Sequence, residues 1–184
     1  MNHTGTIVIE TQRLILRPLV LKDAQDLYEL LIDEQIMEFL AGIPEYTGVD
    51  MAVSYINNTL SKKYNSPDFY DWAIEEKESG KMIGRISLHK QDDYRRMADL
   101  VWFVSPTVRG KGYATEGARA AIKHLQKVGF ERIEAFADVE NKPSQRVMEK
   151  LGMKYEGTLK KYDCRRDESL YDANMYAITE PLDD

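Results

Sequence analysis

One cysteine among 184 residues, Cys164, excludes an internal disulfide. Three histidines, His3, His89 and His124, are too scattered for the spacing of a zinc site, so no metal is expected. Hydrophobic residues form 43% of the chain, yet no apolar run exceeds about half of the roughly 20 residues that a membrane-spanning helix needs. The first ten residues also lack a basic segment followed by an apolar one. The Asn-x-Thr sites at Asn2 and Asn57 therefore read as chance, and the expectation is a cytoplasmic protein without a membrane partner. Basic charge is in deficit: 25 Lys and Arg stand against 31 Asp and Glu, for a formal net charge of −6. Such a chain has no general attraction for phosphate backbones, which argues against direct nucleic-acid binding, whereas amine-bearing partners suit its field. No repeat, low-complexity run or Pro/Gly/Ser linker divides the sequence, so residues 1–184 are expected to form a single domain.

What is present is a succession of short periodic segments. Arg13–Arg17 is an apolar run stopped by Pro18, a strand, and Lys22–Ile32 carries Ala24, Leu27, Tyr28, Leu30 and Leu31 at helical spacing. Val49–Tyr64 repeats the helical pattern. Phe69–Glu75 and Met82–Leu88 alternate as strands around a turn at Ser79-Gly80-Lys81. Ala98–Val104 is a third strand, whose apolar run Leu100–Val104 predicts a central position buried on both faces. Tyr113–Val128 is a helix stopped by Gly129, followed by a strand at Ile133–Val139 and a short helix at Pro143–Leu151 closed by Gly152. Tyr155–Tyr162 and Leu170–Ile178 form a terminal hairpin. The expected fold class is α+β, with a mixed, mostly antiparallel central sheet flanked by helices.

The chemistry concentrates where the strand ending at Val104 passes through Ser105-Pro106 and Arg109-Gly110-Lys111-Gly112 straight into a helix at Tyr113-Ala114-Thr115. Free amides of a helix's first turn bind phosphate, glycines allow close main-chain approach, and Arg109 and Lys111 add cationic donors. The segment reads as an anion cradle, most plausibly for a pyrophosphate. Two common phosphate loops are excluded. A Walker loop needs its Lys after the last glycine with Ser or Thr following, and a dinucleotide fingerprint would need a third glycine where Thr115 stands.

Arg109-x-x-Gly112-x-Ala114 resembles the acetyl-coenzyme A loop of the GNAT N-acetyltransferases. Three further stretches are similar to the branch that acetylates ribosomal-protein N-termini (Rim-type). They are Glu10-Thr11-Gln12-Arg13-Leu14 through Pro18, Ala98–Trp102 with Gly110–Glu116, and Asn141-Lys142-Pro143-Ser144 ahead of Glu149-Lys150-Leu151-Gly152-Met153. The resemblance implies a cofactor wedged between two splayed central strands, Leu100–Val104 and Ile133–Val139. It implies main-chain contacts to the pantetheine arm near Phe103 and Val104, one of whose amides also serves the oxyanion. It further implies a pyrophosphate held by Arg109, Gly110, Lys111, Gly112, Tyr113, Ala114 and Thr115, and cofactor contacts from Asn141 and Ser144.

Amine attack on a thioester needs a free amine, a stabilised oxyanion and a proton for the leaving thiolate. In many relatives a tyrosine after the Asn protonates the sulfur; Met148 stands where it would be, and Ser144 is the substitute candidate. Asp99 occupies the place where relatives of this branch often carry a glutamate, and is the candidate base. The implied reaction is direct transfer from acetyl-CoA to a primary amine, in the Rim-type branch a protein or peptide N-terminus. A polyamine or other small amine is the nearer alternative acceptor, and a CoA-binding sensor without turnover is a different one. A homodimer is compatible with the sequence.

Several residues have ordinary readings. Cys164 has no His nearby in sequence to activate it. Trp102 and Tyr113 read as packing residues, Asn141 also as a helix cap, and Glu116 as a first-turn acid favoured by the helix dipole. Asp68, Asp71, Glu75 and Glu76 read as a solvated strand face.

Overall fold

The computed structural model describes residues 1–40 and 42–182. A short β1 (Ile9–Glu10) pairs with β2 (Leu14–Arg17), where Leu14 and Leu16 point into the core. Pro18 stops β2, and a 3-10 turn (Leu21–Asp23) leads into α1 (Ala24–Leu31). The turn is fixed by Asp23, which is buried and accepts hydrogen bonds from Val20 N at 2.8 Å and Arg17 Nη1 at 2.7 Å. α2 (Glu34–Met37) is too short for its periodicity to show in the sequence; Asp33 caps it by accepting from Gln35 N and Ile36 N. The helix expected at 49–64 is α3 (Val49–Tyr55), a π-helical turn (Ile56–Leu60) and α4 (Ser61–Lys63) in succession.

The remaining elements are β3 (Asp71–Glu76), β4 (Met82–Asp92), β5 (Met97–Val104), a 3-10 turn (Pro106–Val108), α5 (Tyr113–Val128), β6 (Arg132–Asp138), α6 (Lys142–Lys150), β7 (Lys154–Cys164) and β8 (Leu170–Ile178). The strands form one eight-stranded sheet in the order β1-β2-β3-β4-β5-β6-β8-β7. Every neighbouring pair is antiparallel except β5 and β6, which run parallel. The mixed, mostly antiparallel α+β sheet is the one expected.

Each face of the sheet has its own core. On one, α5 and α6 cover Leu14, Leu16, Trp72, Ile74, Ile86, Leu100, Ile133 and Ala135; on the other, α1 to α3 cover Ala73 and Met82, with Phe103 packed alongside. Gly117 brings α5 close to the sheet, since a Cβ there would stand 3.0 Å from Ile86 Cδ1. Ile122 and Leu125 on the same helix are fully buried. Truncating Leu125 to Ala would cost about 2–5 kcal/mol. This packing holds the N-terminus of α5 rigidly at the end of β5.

One expectation about the core needs correction. β5 is central, but only Ala98, Asp99 and Leu100 are buried; Val101 to Val104 are only partly buried although apolar. The reason is that the sheet comes apart beside them.

Candidate active site

β5 and β6 pair only through Met97–Arg132, Ala98–Ile133 and Asp99–Glu134. Among the described residues the ladder ends there, so the strands splay after Asp99 and Glu134 and leave a slot with a closed end and an open end. Ile133 and Glu134, expected in the splayed part, belong to the closed end.

The main-chain groups on the slot wall follow from two hydrogen bonds that fix the phase of β5. Ser105 N donates to Ile83 O of the β4 side at 2.8 Å, and Arg96 O accepts from Glu131 N and Arg132 N on the β6 side at 2.9 and 3.1 Å. Alternation then turns the peptide groups of Leu100, Trp102 and Val104 toward the slot and those of Phe103 toward β4. The main chain of Phe103, expected to hold a ligand arm, thus faces β4, whereas the groups of Trp102 and of Val104, also expected there, face the slot. Unpaired strand groups beside partly buried apolar side chains suit an extended ligand bearing amides, which can pair as an added strand.

The loop at the open end is built as an anion cradle. Gly110 (φ +78°) and Gly112 (φ +83°) are left-handed, a conformation that costs a residue with Cβ about 1–2 kcal/mol, and Gly112 caps α5. The first bond of the helix is Glu116 N to Gly112 O at 3.0 Å, so the amides of Tyr113, Ala114 and Thr115 face out of its end. Lys111 is exposed beside them. Arg109 instead reaches α2, donating to Gln35 Oε1 at 2.6 Å and Gln35 O at 3.3 Å.

The cradle is held by an anchor that the sequence reading assigned to the helix dipole alone. The Glu116 carboxylate accepts from Thr11 Oγ1 (2.6 Å), Arg13 N (2.9 Å) and Arg13 Nε (2.7 Å). Arg13 in turn donates to Lys111 O at 2.9 Å and lies 4.4 Å over the Tyr113 ring. Tyr113 is buried and donates to Glu76 Oε1 at 2.6 Å. Burial pushes the Glu116 carboxyl up, but the Thr11 and Arg13 donors outweigh it and hold it below the usual range.

At the closed end Asp99 is 5% exposed. Desolvation pushes its carboxyl up to about 6, with Glu134 adding to the rise while His89 and Lys90 oppose it. Its partner is His89, whose Nδ1 lies 3.3 Å from Asp99 Oδ2. Nothing in the sequence announced this histidine: β4 carries a bulge in which Leu88 faces Leu100 and Lys90 faces Asp99, leaving His89 unpaired. Tyr162 and Phe136, whose ring centroids lie 5.0 Å apart, complete this end, and the Tyr162 hydroxyl is raised by burial and by Asp99 and Glu134.

The far wall of the open end carries Asn141 and Ser144. Asn141 Oδ1 accepts from Ser144 N at 3.2 Å as the cap of α6, and among the described residues the Ser144 hydroxyl makes no hydrogen bond. Asp99 faces Glu134, whereas Ser144 follows Asp138, so four strand residues, about 13 Å, separate the two ends. The structure therefore does not join Asp99 and Ser144 into one cluster; it sets them at opposite ends of one slot. Met148 is fully buried in the core. One ion pair, Arg166 Nη2 to Glu45 Oε2 at 3.6 Å, joins the β7–β8 turn to the segment before α3, from opposite sides of the slot.

The acidic group is solvated only at Asp68, which is exposed; Asp71 and Glu75 are not. Asp71 is buried and accepts from Arg85 Nε at 2.7 Å, and Glu75 accepts from Arg17 Nη2 at 2.6 Å and Lys22 Nζ at 3.0 Å. Cationic partners from distant strands, invisible in a local charge pattern, make these acids structural. Among the described residues no group of three or more His, Cys, Asp or Glu could hold a metal, and no helix is long and apolar enough to cross a membrane.

Residues 13–154 match the acetyltransferase (GNAT) domain family. The uncharacterized N-acetyltransferase YnaD of Bacillus subtilis is 33% identical over 94% of this chain and 96% of its own. A GNAT-family acetyltransferase from Bacillus anthracis superposes with a TM-score of 0.79 at 28% identity, covering 94% of this chain and 98% of its own. RimL, described as a ribosomal L7/L12 alpha-N-protein acetyltransferase in complex with coenzyme A, shares the fold with a TM-score of 0.82 at 18% identity, over 96% and 100% of the two chains.

Proposed function

The chain belongs to the GNAT acetyltransferase family and is an acetyl-CoA-dependent N-acetyltransferase; from that premise we propose that its acceptor is the α-amino group of a polypeptide, with Asp99 as the base. The observation that carries this reading is the buried Asp99 at the vertex of the slot, its carboxyl near pH 6. An α-amine titrates at about 8 and a lysine or similar alkyl amine at about 10.4. Proton transfer to Asp99 is then uphill by about 2 units, or about 3 kcal/mol, for the first and by more than about 4 units, or about 6 kcal/mol, for the second. The N-terminal amine is the acceptor whose proton this base takes more readily. The alpha-N-protein acetylation named for RimL, which shares the fold, agrees with that choice.

The residues suit the donor they would hold. The amides of Tyr113 to Thr115, with the Lys111 side chain, would take the pyrophosphate, and the left-handed glycines leave room that a Cβ would fill. The slot-facing groups of Trp102 and Val104 would hold the pantetheine arm, with Asn141 and Ser144 on the far wall. When bound, acetyl-CoA supplies the activated acetyl group. A slot-facing amide of β5 stabilises the developing oxyanion. Asp99 takes one proton from the acceptor, the second leaves on the departing thiol, and Ser144, at the other end of the slot from Asp99, contacts the cofactor. The whole chain acts as one acetyltransferase unit.

The test is thiol release from acetyl-CoA over a panel: peptides with free N-termini, the same peptides Nα-blocked but carrying lysine, and polyamines. Turnover confined to free α-amines is expected. Turnover of polyamines or lysine at equal or greater kcat/KM would overturn the acceptor assignment, and none with any amine despite cofactor binding would make the protein a CoA-binding module.

A further inference from the structure

Asp99 is too enclosed to exchange protons with water by itself. Its side chain is 7% exposed at the vertex where the strands part, and the acceptor amine would occupy its open side. A base in that position must be emptied after each turnover by another group. His89 reaches both Asp99 and solvent: Nδ1 stands 3.3 Å from Asp99 Oδ2, and half of its side chain is exposed. The bulge in β4 is what puts it there. In regular pairing, residue 89 would take a place in the ladder between Leu88 and Lys90; the bulge leaves it unpaired and frees its side chain to turn onto Asp99. Bulges are a common means of re-aiming a side chain beside a reacting centre. The Phe136 ring, 6.3 Å away between centroids, covers one side of the imidazole.

We infer that His89 is a positioning residue that carries the acceptor's proton from Asp99 to solvent, an inference that rests on Asp99 being the base. The protons balance. The ammonium form of the acceptor gives one proton to the Asp99 carboxylate, Asp99 passes it to His89 Nδ1, and the half-exposed imidazolium releases a proton to bulk water. The free amine forms the C–N bond as the thioester C–S bond breaks, and the remaining surplus N–H proton leaves on the thiol. Each turnover thus delivers one proton to solvent through His89.

The charged and titratable groups facing Asp99 come from three elements. β4 contributes His89 and Lys90, β6 contributes Glu134, which Arg132 holds at 2.9 Å, and β7 contributes Tyr162. Of the three on β4 and β6 that act most directly, only His89 both touches the carboxylate and lies against water.

The experiment compares wild type, His89→Gln and Asp99→Asn with a free-N-terminal peptide. In His89→Gln, kcat is expected to fall about tenfold or more. Its acid limb should move to higher pH, added imidazole should restore turnover in proportion to its concentration, and the acetyl-CoA KM should not change. Independently of turnover, the Asp99 carboxyl carbon followed by NMR in the unliganded enzyme should titrate at higher pH in His89→Gln than in wild type. A variant with the wild-type pH profile, no response to imidazole and an unmoved Asp99 titration would overturn the relay. If Asp99→Asn loses turnover while His89→Gln keeps the wild-type profile, only the relay fails. If wild type acetylates no amine at all, the relay and the function proposed above fall together.

Discussion

The two ends of the slot are built by opposite means. The cradle of the open end is one contiguous segment, 105–115, fastened by a carboxylate with several strong donors: Glu116 satisfies Thr11 and Arg13, and Arg13 satisfies the Lys111 carbonyl. The closed end draws Asp99, His89, Glu134 and Tyr162 from four strands and leaves a buried carboxylate ionised near neutrality against its own desolvation. Cofactor binding asks for rigid, fully satisfied main chain, whereas proton transfer asks for a group displaced from its ordinary pKa. The first arrangement stabilises the fold and the second costs it stability.

The contrast is tested most severely at Asp99. Asp99→Asn should lower kcat by about 100- to 1000-fold while the acetyl-CoA Kd measured by calorimetry stays within about threefold. The same variant should be the more stable protein. Because the folded-state pKa is raised from 3.8 to about 6, ionisation of Asp99 destabilises the fold above pH 6. This penalty shrinks as pH falls through that value and is gone below the unfolded pKa. At neutral pH it reaches about 3 kcal/mol. Thermal melts should show Asp99→Asn ahead of wild type at neutral pH and level with it near pH 4; a loss of stability at neutral pH would refute the buried-charge account.

At the open end the dependence reverses. Gly112→Val must adopt a left-handed φ beside Arg13 Nη2, 3.6 Å from the new Cβ, and should weaken acetyl-CoA binding by about 30- to 100-fold. Glu116→Gln loses the charge that holds Arg13, and should raise the acetyl-CoA Kd about tenfold and lower stability by about 1–2 kcal/mol. Unlike Asp99→Asn, it should leave the position of the acid limb unchanged. Ser144→Ala carries the smallest effect, a rise in the acetyl-CoA Kd of about two- to fivefold with kcat at saturation unchanged; a Kd equal to wild type would remove the hydroxyl from the cofactor site.

How much could be read in advance follows the same division. The cradle was legible because its parts are neighbours in sequence: glycines, a helix start and cations within Arg109–Thr115. The splayed pair of strands was legible only through the family resemblance. The mild exposure of Val101–Val104, which marks the slot, ran against the apolar run that predicted burial. His89 was out of reach because a bulge has no local pattern, and the Asp71–Arg85 pair because register between β3 and β4 decides which charges meet. Glu116 sits in the first turn as its dipole reading has it, but its anchor, Arg13, lies about a hundred residues upstream, beyond the reach of a local pattern.

The most direct test is kcat for a peptide with a free α-amine, followed from about pH 5 to about pH 9 at saturating substrates. An acid limb near pH 6 that vanishes in the residual activity of Asp99→Asn is expected. A wild-type kcat that stays flat across that range would contradict Asp99 as the base.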